Sequence, residues 1–208
     1  MKTVTISLAT LFCGYFFITH SNSNNHELKG DFNAYVNQMD KDNAIAYAPA
    51  KVDYDAFEKL VAEVKMHRQK RLVGLDEFLN MSKGENTIIL DTRSDKMYEA
   101  KHVKGAVHLS FPDFTQNNLD DLIGDKNTRI LIYCNNNFGG DELYLPTKTA
   151  GPVLTKVSNE PAKELTLALN IPTYINLYGY GFKNVYELAE FVDVKDSRIV
   201  FEGTAVRK

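Results

Sequence analysis

Arg129-Ile130-Leu131-Ile132-Tyr133-Cys134-Asn135-Asn136-Asn137-Phe138-Gly139-Gly140-Asp141 reads as a buried strand that delivers a thiol into a tight loop. A continuous apolar run of this length, closed by a turn cluster, suits a central strand of a parallel sheet covered on both faces. The residues after Cys134 favour tight or left-handed backbone, since glycine carries no Cβ penalty and asparagine tolerates that region. Open α/β folds place their chemistry at the carboxyl ends of such strands. The competing reading is a thiol that is merely packed, because free cysteine is among the most buried residue types.

Outward from this stretch, short strands alternate with helical patterns. Leu72-Val73 is a brief strand, Leu75 to Met81 a helix, and Thr87 to Asp91 a second buried strand. Tyr98 and Glu99 fall on a short helix, Ala106 to Leu109 on a strand, and Asn118 to Ile123 on a helix. Beyond the loop, a helix is expected over Glu160 to Leu169, with Asn159 as cap and Pro161 in its first turn. A strand is expected over Thr173 to Leu177, then a helical stretch from Asn184 to Phe191. Before the first strand, Asp53 to His67 has an amphipathic period, with Tyr54, Phe57, Leu60, Val61 and Val64 on one face. The alternation predicts an α/β domain with a parallel sheet and helices on both faces, plus an N-terminal helical extension.

Residues 1–23 have the form of an export signal: Lys2, an apolar stretch from Val4 to Ile18, then Ser21-Asn22-Ser23 as a cleavage region. An uncleaved anchor is the alternative, but the apolar stretch is shorter than the about 20 residues that span a bilayer. Export predicts a periplasmic or secreted protein with an irregular arm and helix over 24–70 and the main domain over 71–208. Loss of Lys2 would take the formal net charge from −3 to −4, which attracts neither nucleic acid nor an anionic membrane. Of the 2 cysteines, Cys13 lies in the signal, so the mature chain has no internal disulfide and one thiol to account for. Nothing in the sequence fixes the oligomeric state.

Four segments in order carry a resemblance. They are Ile89-Leu90-Asp91-Thr92-Arg93, His102-Val103-Lys104-Gly105-Ala106, Tyr133-Cys134, and Gly181-Phe182-Lys183-Asn184-Val185-Tyr186-Glu187-Leu188. Together they resemble the rhodanese-like (sulfurtransferase) family over roughly Arg71 to Phe191. The resemblance implies a five-stranded parallel sheet with helices on both faces, and a loop cysteine, Cys134, that accepts a sulfane sulfur as a persulfide. Asn135, Asn136, Asn137, Phe138, Gly139, Gly140 and Asp141 would form a nest of inward-turned amides around that sulfur. Asp91, Arg93, Glu99 and His102 would be structural neighbours, with Arg93 and Glu99 as an ion pair and Asp91 able to bond loop amides. The implied partners are a sulfane-sulfur donor and a thiol or cyanide-like acceptor. No cofactor is implied.

The sequence also departs from that pattern. Family loops commonly carry a basic residue at the sixth position counted from the cysteine; here it is Gly139, and no Lys or Arg follows until Lys148. Asp141 and Glu142 add negative charge instead. A glycine cannot clamp an anion bidentately as arginine does, which counts against thiosulfate turnover and more heavily against phosphatase chemistry. The segment from Leu143 to Ser158, interrupted by Pro146 and Pro152, is an insertion that serves as a lid, a wall or a plain surface connection. If it displaces the following helix, the helix dipole no longer faces Cys134. His102, His108 and Cys134 are zinc-type ligands at a spacing that fits no metal pattern. Pro172 to Gly181, rich in aromatics, reads as a buried strand plus turn rather than a ligand platform, with Tyr178 or Tyr180 as the alternative border of a pocket. The rival to a sulfur carrier is a catalytically silent module of the same fold that binds a protein or peptide; a redox-sensing thiol is a third reading.

Overall fold

The computed structural model of the chain describes residues 48–151 and 164–206. The expected signal, the arm up to residue 47 and the start of the helix expected from Glu160 lie outside the described residues. Contacts divide the chain at Lys51, and the fold described here is that of the second unit, Val52–Lys208.

Helix α1 (Tyr54–Gln69) leads the unit, and the Asp53 carboxylate caps it by accepting the Ala56 N–H. It is followed by β1 (Leu72–Val73), α2 (Leu75–Met81), β2 (Thr87–Asp91), α3 (Asp95–Ala100), β3 (His102–Val103) and β4 (Val107–His108). Then come a 3₁₀ turn (Phe111–Asp113), α4 (Gln116–Ile123), β5 (Arg129–Tyr133) and a second 3₁₀ turn (Asn135–Asn137). Strands β6 (Phe138–Gly139), β7 (Thr149–Ala150) and β8 (Leu165–Thr166) precede α5 (Asn170–Gly179). The last elements are β9 (Val185–Leu188), β10 (Val192–Asp193) and β11 (Phe201–Glu202).

Five strands form one parallel sheet in the order β1-β9-β5-β2-β4. The sequence of β5 explains its central place. Ile130 and Ile132 face one apolar cluster with Leu90, Leu119, Tyr174, Leu177 and Val185, while Leu131 and Tyr133 face another with Phe78, Ile89, Phe138 and Leu188. Side chains alternate across a strand, so an apolar residue at every position requires cover on both faces. Helices α1, α4 and α5 supply that cover on one face and α2 on the other. The expected five-stranded parallel sheet with helices on both faces, preceded by a helix, is the observed architecture.

Three expectations for elements are corrected. Thr173 to Leu177 is not a strand but the middle of α5, which buries Thr173, Tyr174, Ile175 and Leu177. Pro172 sits in the first turn of α5, where its missing N–H has no intrahelical partner to lose. Conversely, Asn184 to Phe191 is not helical: Val185–Leu188 is β9, paired with both β1 and β5. Within the stretch expected as a helix up to Leu169, the described residues include β8, which pairs antiparallel with β7. Along α1 only Val64 is buried, and Tyr54, Phe57 and Val61 are exposed, so the apolar face is narrower than its period implied.

Candidate functional site

The carboxyl ends of β5, β2 and β4 converge where the thiol loop begins. Cys134 follows β5 in extended backbone (φ −147°, ψ −174°) and caps the 3₁₀ turn that comes next. Its neighbours on both sides are tied to one buried ion pair. The Asp91 carboxylate receives the Arg93 guanidinium at 2.6 Å with both side chains essentially inaccessible. The Tyr133 hydroxyl donates to Asp91 Oδ2 at 2.5 Å, and Arg93 Nη1 donates to Asn135 Oδ1 at 3.0 Å. Burial opposes the Arg93 charge, but the Asp91 carboxylate beside it prevails and holds its pKa above the ordinary value. Two corrections follow. Arg93 pairs with Asp91 rather than with Glu99, whose side chain is exposed and forms no ion pair among the described residues. Asp91 accepts from Arg93 and Tyr133, not from amides of the loop.

Each asparagine of the loop bonds a different part of the fold. Asn135 holds Arg93. Asn136 makes a two-point contact with the main chain of Lys148: its Nδ2 donates to the carbonyl at 3.0 Å and its Oδ1 accepts the N–H at 3.0 Å. Asn137 is the most connected, with Oδ1 accepting the Cys134 N–H at 2.9 Å and Asn170 Nδ2 at 3.1 Å, and Nδ2 donating to the Leu188 carbonyl at 2.7 Å. The asparagines therefore tie the loop to the fold through their side chains, and within the loop only Gly140 takes a left-handed conformation (φ +88°). Gly139 lies against the Phe191 ring, and a Cβ there would come within 2.6 Å of it. Asp141 brings less negative charge than the sequence suggests, since Lys101 neutralises it at 2.7 Å.

The nest around the sulfur is smaller than expected from the loop and is completed from elsewhere. The Asn136 N–H donates to Cys134 Sγ at 3.4 Å. The N–H groups of Asn137 and Phe138 turn instead to carbonyls of their own turn. The main-chain N–H groups of Asn170 and Leu169, at the start of α5, also favour the thiolate, but neither hydrogen-bonds the sulfur. The start of α5 thus lies beside the thiol loop, where Asn170 Nδ2 reaches Asn137 Oδ1. Cys134 is nonetheless enclosed, at 1% exposure. Burial pushes its pKa up; the three amides pull it down without prevailing, and the Glu187 carboxylate adds to the rise. Glu187 is itself buried, held by Arg68 of α1 through two 2.5 Å contacts and by Asn170 Nδ2 at 3.1 Å.

A cavity of about 280 Å³ opens beside this assembly, lined by Thr92, Arg93, Ser94, Met97, Ser110, Phe111, Pro112, Lys148 and Leu169. Cys134 does not line it. Leu169, which precedes α5, is among its lining residues. Lys148, Leu169 and the cavity were not identified as parts of a site from sequence; the one available signal was that Lys148 is the first cation after the loop.

Other expected participants lie apart. His102 Nδ1 bonds the Tyr98 carbonyl at 2.6 Å, and its ring stacks on one side of Tyr98 with His108 on the other. No group of His, Cys, Asp and Glu among the described residues could hold a metal ion. Tyr178 and Tyr180 do not border the cavity: their hydroxyls bond Glu63 and the Phe114 carbonyl.

Comparison with known proteins adds a family. The family model described as Rhodanese-like domain matches residues 74–193. Curated relatives from two strains of Staphylococcus epidermidis, both named tRNA uridine(34) hydroxylase, are 28% identical over 130 residues. That match covers 51% of this chain but only 39% of theirs. Among solved structures, the BH2092 protein from Bacillus halodurans superposes with a TM-score of 0.42 at 18% identity, covering 71% of this chain and 88% of that one.

Proposed function

Because the chain belongs to the rhodanese-like domain family, whose characteristic chemistry is sulfur transfer, we propose that the domain carries a sulfane sulfur on Cys134. The supporting observations are the Asn136 N–H, which donates to the enclosed Cys134 sulfur at 3.4 Å, and the start of α5, which Asn170 ties to Asn137 of the same loop at 3.1 Å. In the reaction, the Cys134 thiolate attacks the outer sulfur of a donor. A new S–S bond forms, the donor's own S–S bond breaks, and the donor's remainder leaves with the electron pair: sulfite from thiosulfate, a sulfinate from a thiosulfonate, or a shorter polysulfide from a polysulfide. An acceptor thiolate or cyanide-like nucleophile then attacks the outer sulfur of the Cys134 persulfide, and the Cys134 thiolate departs with the electrons of the broken bond. No outside oxidant or reductant is consumed. The amides serve both anions, thiolate and persulfide, with fixed dipoles that need no reorganisation.

Intact mass after incubation with thiosulfate or polysulfide tests this. A gain of one sulfur atom is expected, absent in Cys134→Ser; unchanged mass with every donor would overturn it. The burial of Cys134 favours one second reading, a silent module that binds a protein or peptide, and the same experiment separates the two.

The export of the chain by residues 1–23 belongs to the same proposal. Secretion with removal of that segment, read by N-terminal sequencing, is the expected outcome. The RNA chemistry in the relatives' name is not carried over: the chain spans 39% of their length and has a formal net charge of −3. Among the described residues no helix is long and apolar enough to cross a membrane.

A further inference from the structure

Helix α1 meets the rest of the domain with one side and leaves an apolar side open. Leu60 and Val64 pack into the cluster that holds Ile132 and Tyr174, His67 Nδ1 lies 2.9 Å from the Tyr174 hydroxyl, and Arg68 holds Glu187. On the adjoining side Tyr54, Phe57 and Val61 are 75%, 45% and 37% exposed. Tyr54, Glu58, Val61 and Lys65 follow one another there at steps of four, three and four residues. On an α-helix such steps keep the four within about 60° of one another, and they are the steps of a two-stranded coiled-coil seam.

The charges in this row differ from those of an ordinary solvated face. Neighbours on a helix surface stand three or four positions apart. Lys59 has Asp55 and Glu63 at that spacing, so its row is balanced within the helix. Glu58 has only Tyr54, Asp55, Val61 and Ala62 there, and Lys65 only Val61, Ala62, Arg68 and Gln69. Neither meets an opposite charge on its own helix. Both are exposed, and neither forms an ion pair among the described residues.

Glu58 lies three positions before Val61, and Lys65 four positions after it. A second copy of α1 running antiparallel, with a two-fold axis beside Val61 and Ala62, sets Glu58 of each copy against Lys65 of the partner subunit. Val61 of both copies then lies beside the axis, and Tyr54 and Phe57 extend the apolar contact toward both ends. A parallel copy would set Glu58 against Glu58 and Lys65 against Lys65. The row therefore complements itself in one direction only, as a two-fold interface requires.

We propose that this side of α1 is a dimer interface between two copies of the chain, an antiparallel helix pair closed by two reciprocal Glu58–Lys65 contacts. The apolar row supplies the affinity through the area it withdraws from water. The two ion pairs, solvated at the rim, select the partner and its direction more than they add strength. With α1 about 24 Å long the interface is small, and association in the micromolar range is expected. The interface is independent of Cys134 and of the sulfur-carrier reading.

Sedimentation equilibrium of the full chain tests this. A dimer is expected at micromolar concentrations. Glu58→Lys alone, or Lys65→Glu alone, brings like charges together twice and should weaken the dimer by about tenfold or more. Combining Glu58→Lys with Lys65→Glu restores both contacts in reverse and should recover the dimer. An equimolar mixture of the two single variants should form a heterodimer that neither forms by itself, a result that only folded helices can give. A monomeric full chain, association that the single reversals leave unchanged, a combined variant that stays dissociated, or a mixture no more associated than its components would each overturn the proposal.

Discussion

Cys134 is held between opposing influences of unequal size. Withdrawal from water disfavours the thiolate, three main-chain donors favour it, and the first effect is the larger. A raised pKa leaves less thiolate at any fixed pH, so the rate of iodoacetamide alkylation should climb only on the alkaline side of the ordinary value of about 8.5. A plateau reached below about pH 7.5 would contradict the geometry. The same shift has a stability consequence. The folded thiol holds its proton more tightly than the unfolded one, so this contribution is complete below the unfolded pKa and is lost as pH rises through the folded value. Asn137 is the residue whose loss should be felt most widely around the thiol. Replacing it with Ala strips the buried Cys134 N–H and Leu188 carbonyl of partners. Each orphaned group costs about 1–3 kcal/mol, so urea unfolding of Asn137→Ala should show a loss of roughly 2 kcal/mol or more. None of this was legible in Asn135-Asn136-Asn137 as letters, where the residues suggested left-handed backbone. Asparagine serves equally as a backbone former and as a two-sided hydrogen-bonding plug, and only the partners decide between them.

Among the elements, β2 and β5 were read to the residue because each is a run of apolar side chains bounded by turns, and a parallel core strand tolerates little else. The pair α5 and β9 was read in reverse for a physical reason. Thr173-Tyr174-Ile175-Asn176-Leu177 has the composition of a strand, yet it forms a helix because Tyr174 and Leu177 pack into the core while Pro172 suits the first turn. Val185-Tyr186-Glu187-Leu188 has a charge where a core strand should have none, and that charge finds Arg68, 119 positions earlier. A tertiary partner so distant leaves no mark on local pattern. The pairing predicts that Arg68→Ala destabilises the fold by leaving Glu187, 4% exposed, without its counter-ion. Breaking a buried pair costs about 3–5 kcal/mol, and the partial exposure of Arg68 places the expected loss near the lower end of that range. A loss under about 0.5 kcal/mol in chemical denaturation would show that the pair is only a surface contact. Because Asn170 bonds both Glu187 and Asn137, the same substitution should also disturb the thiol environment.

At the level of the whole domain, a strand buried on two faces makes a demand that a one-sided sheet does not. Leu131 and Ile132 are adjacent in sequence yet belong to separate apolar clusters, at 0% and 1% exposure. Leu131 packs toward α2 and the loop after Cys134, and Ile132 toward α4 and α5. If each cluster independently holds its layer of helices to the sheet, truncating either side chain opens a cavity of similar kind. Leu131→Ala and Ile132→Ala should then each cost about 2–5 kcal/mol, the range for removing a buried branched aliphatic side chain. Their midpoints in urea should fall together while the slope stays unchanged, because both layers unfold with the one sheet they share. A near-neutral result at either position would mean that one face is not a true core, and that its helices are held by the loops alone. The thiol site would respond to the two changes differently. Leu131 lies in the cluster with Phe138, which follows the 3₁₀ turn at the thiol, and Ile132 in the cluster with Tyr174 and Leu177 of the helix that Asn170 ties to the thiol loop. Alkylation of Cys134 well below the unfolding midpoint would therefore report which face governs access to the sulfur, and the helix face, whose α5 is tied to the thiol loop through Asn170, is expected to give the larger increase in rate.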